Sequence, residues 1–138
     1  MSAEAWYLDT SALVKTIIEE PEPGALLRWL DGKDQLVACE LVRVEAVRAV
    51  RVCDPRAVDR ARRAIATLTL IRLDEALYEA AADLERASLR SLDAIHLAAA
   101  LSLRRDLAGI ATYDVRTAEA AEALSLRVEA PGRALRRG

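Results

Sequence analysis

The sequence predicts an α/β protein with three layers, α/β/α, built on a central parallel sheet of about four to five strands. Three observations carry this expectation. Short apolar or β-branched runs alternate with longer stretches whose apolar residues recur at helical spacing, the pattern of successive βαβ units. Capping residues and prolines stand at the boundaries between them, as in Asp9-Thr10-Ser11, Asp54-Pro55 and Asp74. The 138 residues are 53% hydrophobic with a mean hydropathy of +0.08. A chain of that length buries roughly 68% of its unfolded surface, enough for a core without staples. Residues 1–138 therefore read as a single domain.

Ala5 to Leu8 is a buried first strand ending at Asp9, and Leu13, Val14, Ile17 and Ile18 then mark a helix that Pro21 and Pro23 stop. A short amphipathic helix carries Leu26, Leu27, Trp29 and Leu30 to Gly32. Gln35 to Ala38 is a weak second strand, and a helix follows from Glu40 to about Val52. Asp54-Pro55 opens another helix to about Ala66, with proline in its first turn. Thr67 to Leu73 reads as the third strand, and Asp74 caps a helix from Glu75 to Ala87. Ser91 is expected to cap an Ala- and Leu-rich helix to about Arg105. Leu107 to Thr112 is a strand, Val115 to Leu124 a helix, and Arg127 to Ala130 a last short strand. The arginines after Pro131, at 133, 136 and 137, form a tail expected to be flexible, so residues 131–138 stand apart from the fold.

The formal net charge is −2, which excludes a protein that coats nucleic acid or an anionic membrane by bulk charge. Any anionic substrate must be met locally. Of the basic residues 18 are arginines, the better bidentate partner for phosphate, and only Lys15 and Lys33 are lysines. Cys39 and Cys53 are far apart, and His96 is the one histidine, so neither a zinc site nor a disulfide framework is credible. No apolar stretch approaches the roughly 20 residues of a membrane span, and the first residues do not resemble a signal peptide. A cytoplasmic protein is expected.

In open parallel sheets ligands bind beyond the carboxyl ends of the strands, so acids at those ends are the first candidates. Asp9 and Asp114 stand just past strand ends, and each is equally readable as a helix cap. Asp93 lies in the first turn of a largely apolar helix, where the dipole alone would favour an acid. Glu45 is flanked on its helix by Val42, Ala46, Ala49 and Val52, and a carboxylate on an apolar face needs a partner, an arginine being the ordinary one. Should the four converge, their repulsion calls for a cation, since like charges about 4 Å apart cost roughly 4 kcal/mol at an effective dielectric near 20. An all-oxygen set selects Mg²⁺ or Mn²⁺, and such ions promote in-line displacement at phosphorus.

Tyr7-Leu8-Asp9-Thr10-Ser11-Ala12-Leu13-Val14-Lys15, Glu45 in mid-chain, Leu92-Asp93-Ala94-Ile95-His96-Leu97-Ala98 and Thr112-Tyr113-Asp114 resemble the PIN-domain ribonucleases, nearest to the VapC toxins of toxin–antitoxin pairs. The resemblance spans essentially the whole chain in the family's order. It implies a PIN-like sheet and an acidic pocket in which Asp9, Glu45, Asp93 and Asp114 hold Mg²⁺ or Mn²⁺ and an activated water cuts RNA. Asp9 and Asp93 would be the central ligands. Glu45 would orient metal or water and Asp114 complete the pocket, with the hydroxyls of Thr10, Ser11 and Thr112 holding the acids or a phosphate. It also implies a cognate VapB-like antitoxin and a homodimer. The competing expectation is a binding module of the same fold that holds RNA or a partner protein with weak catalysis or none.

His96 follows Asp93 by three positions and is expected to pack or brace a neighbour rather than act as a base. Trp6, Trp29 and the tyrosines read as core or interface, with Tyr113 able to stack on a base. Arg43, Arg48, Arg51, Arg56, Arg60, Arg62 and Arg63 make one stretch locally basic, either a solvated face or a guide for RNA phosphates. A receiver-type signalling domain is excluded for want of a late lysine, and an Asp-x-Asp phosphatase because Ser11 stands where its second acid belongs.

Overall fold

The computed structural model describes residues 4–18, 24–86 and 88–132. The proline stop at 21 and 23 and the arginine tail from 133 onward lie outside them, whereas the helix expected from Glu75 to Ala87 ends within them, at Ala82, where the Leu84 N–H tightens onto the Ala81 carbonyl.

Five parallel strands form one sheet in the order β3-β2-β1-β4-β5. They are β1 (Ala5–Leu8), β2 (Gln35–Cys39), β3 (Thr69–Ile71), β4 (Leu107–Ala111) and β5 (Val128–Glu129). The seven helices among the described residues are α1 (Thr10–Ile17), α2 (Gly24–Asp31), α3 (Val42–Cys53), α4 (Val58–Ala66), α5 (Glu75–Ala82), α6 (Ser91–Leu101) and α7 (Val115–Ala123). The sheet grows one way from β1 through β2 and β3, then restarts on β1's other edge with β4. The strand order therefore reverses between β1 and β4, where Leu8 pairs with Ala111, and a crevice is expected at the carboxyl ends there.

Successive side chains of a strand face opposite sides, and the core is divided accordingly. Tyr7, Val37, Cys39 and Ile110 pack with Leu77 and Ala81 of α5, Leu97 and Ala98 of α6, and Ala121 of α7. On the other face Ala38 packs with Leu13 and Ile17 of α1, Val42, Ala46 and Val50 of α3, and Ala61 and Ile65 of α4. Leu8 and Ala111 pack with Ala12 of α1, and Trp29 and Leu30 of α2 lean on them. Three layers result, as the alternating pattern predicts.

The differences are local. The segment opened by Asp54-Pro55 begins as a 3₁₀ turn over Pro55–Ala57 before α4, with the Asp54 side chain accepting from the Arg56 N–H. The third strand is three residues long because the Leu68 N–H still turns back to Ile65, as part of the end of α4. Arg90, not Ser91, occupies the cap position of α6. That helix stops at Leu101, and a 3₁₀ turn over Arg104–Asp106 follows, with Arg104 at φ 51°. On α3 the buried side chains are Val42, Ala46, Val47 and Val50, whereas Val52 is 87% exposed. The helix begins at Val42, so Glu45 stands in its first turn, at the sheet's edge rather than over the core.

Candidate active site

Asp9 follows β1 directly, Asp114 lies three residues past β4, Asp93 sits in the first turn of α6 and Glu45 in the first turn of α3. Every strand is parallel, so the ends of β1 and β4 and the starts of the helices that follow them share one edge of the sheet. Glu45, on the helix that follows β2, shares that edge, and Asp93 lies close enough for the charges of Asp114 and Asp9 to act on it.

Asp9 is 4% exposed, and its Oδ2 accepts two side-chain hydrogen bonds, from Ser11 Oγ at 2.9 Å and Thr112 Oγ1 at 2.8 Å. It holds the cap position of α1, but its side chain caps nothing. The carboxylate is spared for another use. Thr112 is fully buried and joins the two strand ends, since its hydroxyl also accepts from the Asp114 N–H at 3.1 Å. Ser11 Oγ in turn accepts from the Tyr113 N–H at 2.8 Å. The loop after β4 is thus tied to the loop after β1 by hydroxyls that both loops supply.

Asp114 does cap its helix: Oδ1 accepts from the backbone N–H groups of Arg116 at 2.9 Å and Thr117 at 3.2 Å. On Glu45, Oε1 accepts from Thr10 Oγ1 at 2.8 Å and lies 2.6 Å from His96 Nε2. Asp9, Glu45 and Asp114 therefore share one arrangement. One oxygen of each is committed to the fold, and among the described residues the other takes no protein donor. Capping and ligand binding are compatible for a single carboxylate such as Asp114, because they would use different oxygens.

His96 is 1% exposed and braces Glu45, as expected of it, but the partner of Glu45 is this histidine and not an arginine. Its Nδ1 is hydrogen-bonded to the Tyr7 hydroxyl at 2.7 Å and lies 3.6 Å from Cys39 Sγ. Its Nε2 also stands 3.9 Å from Asp9 Oδ1 and 3.2 Å from Thr10 Oγ1. Burial alone would lower the imidazole's pKa, but the bonds to Cys39 and Glu45 and the charge of Asp9 raise it to about 10. Glu45 moves the opposite way: burial works against ionisation, yet the His96 bond and charge bring it below the ordinary value. The supporting pair Tyr7 and Cys39 carries no sequence signal beyond alternation toward the α6 face. A lone histidine at a buried helical position, which needs polar partners on both nitrogens, was the available clue.

Asp93 is different. Burial, then the charges of Asp114 and Asp9, raise its pKa, with Arg90 and His96 opposing. The site carries a negative field that its own cations do not fully balance. Among the described residues no three acidic, histidine or cysteine side chains draw close enough to form a ready-made metal-ligand set. The donors fit a hard cation in type and charge, being carboxylate oxygens with free lone pairs around unrelieved repulsion.

Of the basic stretch between 43 and 63, Arg56 pairs with Asp54 and Arg60 donates to the Ile17 carbonyl at 2.6 Å, so those two have structural uses. The Tyr113 hydroxyl donates to the Pro131 carbonyl at 2.6 Å, and Lys15 Nζ lies 5.0 Å from the Tyr113 ring centroid. No helix among the described residues is long and apolar enough to cross a membrane.

The PIN domain family matches residues 6–123. Ribonuclease VapC46 of Mycobacterium tuberculosis is 43% identical over 127 residues, covering 92% of this chain and 98% of its own. Ribonuclease VapC35 of the same organism is 44% identical over 132 residues, covering 93% and 98%. The fold is also similar to the crystal structure of Mycobacterium tuberculosis VapC20, described as a sarcin-ricin loop cleaving toxin. The TM-score is 0.69 at 18% identity, covering 83% of this chain and 94% of that one. A family match across most of the fold, with relatives this similar over nearly their full length, places the chain in the PIN-domain family, on its VapC branch.

Proposed function

We propose that the protein is a metal-dependent endoribonuclease that hydrolyses RNA phosphodiester bonds, and that it is the toxin of a toxin–antitoxin pair. One observation carries the chemical part. Three carboxylates at the sheet's switch point each spend one oxygen on the fold and keep the other, beside a fourth acid, Asp93, whose ionisation the others oppose. Relatives named ribonucleases at about this length supply the substrate class.

In this reading Asp9 and Asp93 are the central ligands of Mg²⁺ or Mn²⁺, with Glu45 and Asp114 completing the pocket. Such an ion would supply Lewis acidity and offset the charge that builds on the phosphoryl and leaving oxygens during in-line displacement. The chain's residues do the positioning. Ser11 and Thr112 hold Asp9 through Oδ2, which leaves Oδ1 to serve as a ligand without reorganisation. Glu45, pinned through Oε1, offers Oε2 to orient the attacking water. Water adds to phosphorus, the bond to the leaving ribose oxygen breaks, and one fragment keeps the phosphate while the other gains a hydroxyl. The same reading makes residues 1–138 one nuclease unit that pairs with a second copy and with a VapB-like antitoxin.

The test is cleavage of a mixed RNA pool by purified protein in Mg²⁺, Mn²⁺ or EDTA, beside Asp93→Asn at equal concentration. Discrete products that require metal and vanish in the variant are expected. Absence of products from folded protein, free of any copurifying inhibitor, would favour the binding module.

A further inference from the structure

A cavity of about 340 Å³ opens beside the acidic edge, between the loop joining α5 to α6 and the first turns of α7. Arg86, Ser88, Leu89, Arg116, Glu119 and Ala120 line it. Its two arginines are exposed, and among the described residues neither takes part in an ion pair, although Glu119 shares the cavity. Elsewhere Arg56 pairs with Asp54 and Arg127 with Glu129. The cavity is joined to the site by the chain itself. The Arg116 N–H donates to Asp114 Oδ1, and Arg90, on the far side of Ser88 and Leu89, is the guanidinium that opposes the raised pKa of Asp93.

Two unpaired guanidinium groups and a hydroxyl in one concavity make a receptor for a tetrahedral dianion or a phosphodiester, to which arginine binds by parallel N–H donors. An acidic centre repels the phosphates of its own substrate, so an RNA-cleaving protein with net charge −2 needs local cations where the strand enters. We infer that the Arg86–Ser88–Arg116 cavity is a subsite for a backbone phosphate of single-stranded RNA, next to the one being cut. It rests on the ribonuclease reading. Glu119 lines the same cavity, and its negative charge opposes an anion there.

The test reads the salt dependence of binding. A labelled single-stranded RNA oligonucleotide of mixed sequence is titrated with full-length protein in EDTA, over a series of salt concentrations. Each lost phosphate contact lowers the slope of log K against log salt by about 0.7, so Arg86→Gln with Arg116→Gln, which together empty one phosphate subsite, is expected to lower it by about that amount. Glu119→Gln is expected to tighten binding. Arg104→Gln with Arg105→Gln removes the same charge just before β4, at the opposite edge of the sheet, and is expected to leave the slope unchanged. In the cleavage assay the Arg86/Arg116 variant is expected to raise KM and leave kcat alone.

An unchanged slope with cleavage retained overturns the subsite and spares the ribonuclease. Equal losses from both arginine pairs also overturn it, since they would report net charge rather than a contact. A protein that neither binds nor cuts RNA overturns both readings.

Discussion

His96 Nε2 lies 2.6 Å from Glu45 Oε1, and the bond crosses from one helical layer to the other around the end of the sheet. Glu45 belongs to α3, packed on the face that carries α1 and α4, and His96 to α6, packed with α5 on the opposite face. One side-chain contact thus closes the two layers over the carboxyl end of β1 and orients an acid of the site.

Replacing His96 by Leu removes one of the two donors to Glu45, leaving Thr10, and strands the Tyr7 hydroxyl, at a cost of about 1–3 kcal/mol. Gln, whose amide can still donate to Glu45, is expected to recover part of both stability and kcat. Urea midpoints and single-turnover rates on the same preparations check this. A Leu variant as active per folded molecule as the parent would show that the brace serves the fold alone.

The pH dependence follows from the two opposite shifts. His96, raised from 6.5 to about 10, contributes stability that is complete below about pH 6.5 and is lost as pH rises toward 10. Glu45, lowered from 4.5, contributes stability present above about pH 4.5 and lost as pH falls through its folded pKa. Urea midpoints measured between pH 4 and pH 10 should therefore be highest between those limits. In His96→Gln the alkaline decline is expected to flatten, and an undiminished decline would assign it to other groups.

Without metal, Asp93→Asn is expected to stabilise the protein modestly, because its charge is opposed by burial, Asp114 and Asp9 while solvent screens part of that repulsion. Mn²⁺ or Mg²⁺ should stabilise the parent, by about 1.4 kcal/mol at ten times the dissociation constant, and the variant much less. Melting curves with and without metal check both parts. A drop in melting temperature on substitution would mean that Asp93 has a structural partner.

Gly109 is a packing requirement of the sheet. A Cβ there would meet Trp6 at 2.6 Å and the Arg127 carbonyl oxygen at 2.7 Å, while Trp6 is itself held edge-on to Trp29. Gly109→Ala is expected to cost about 1–3 kcal/mol in denaturation midpoint and to leave kcat unchanged in the folded fraction.

The layers, the five strands and the positions of the four acids are legible in the sequence because strand and helix periods differ and because Asp9 and Asp114 sit at element boundaries. Glu45 is the instructive case. Its flanking residues suggest an apolar face and an arginine partner, but α3 starts at Val42, which places it in the first turn, and its partner is 51 positions away on α6. Periodicity does not report which turn is first, and no local pattern couples residues so far apart. The choice between cap and ligand for Asp9 and Asp114 was likewise beyond the sequence, since it depends on which oxygen each donor reaches.

The Thr112 hydroxyl meets Asp9 across 103 residues of chain, in a sheet where β1's two neighbours are β2 and β4. A ribosome that has released only the first two thirds of this protein has exposed Asp9 and Glu45 but not α6 or β4, which bring His96, Asp93, Thr112 and Asp114. The four acids meet only after α6 and β4 have followed the first half of the chain, at the non-local closure of β1 on β4. A nascent chain that has not yet delivered β4 therefore lacks Thr112 and Asp114, and the moment of synthesis at which the four acids can meet is set by the topology.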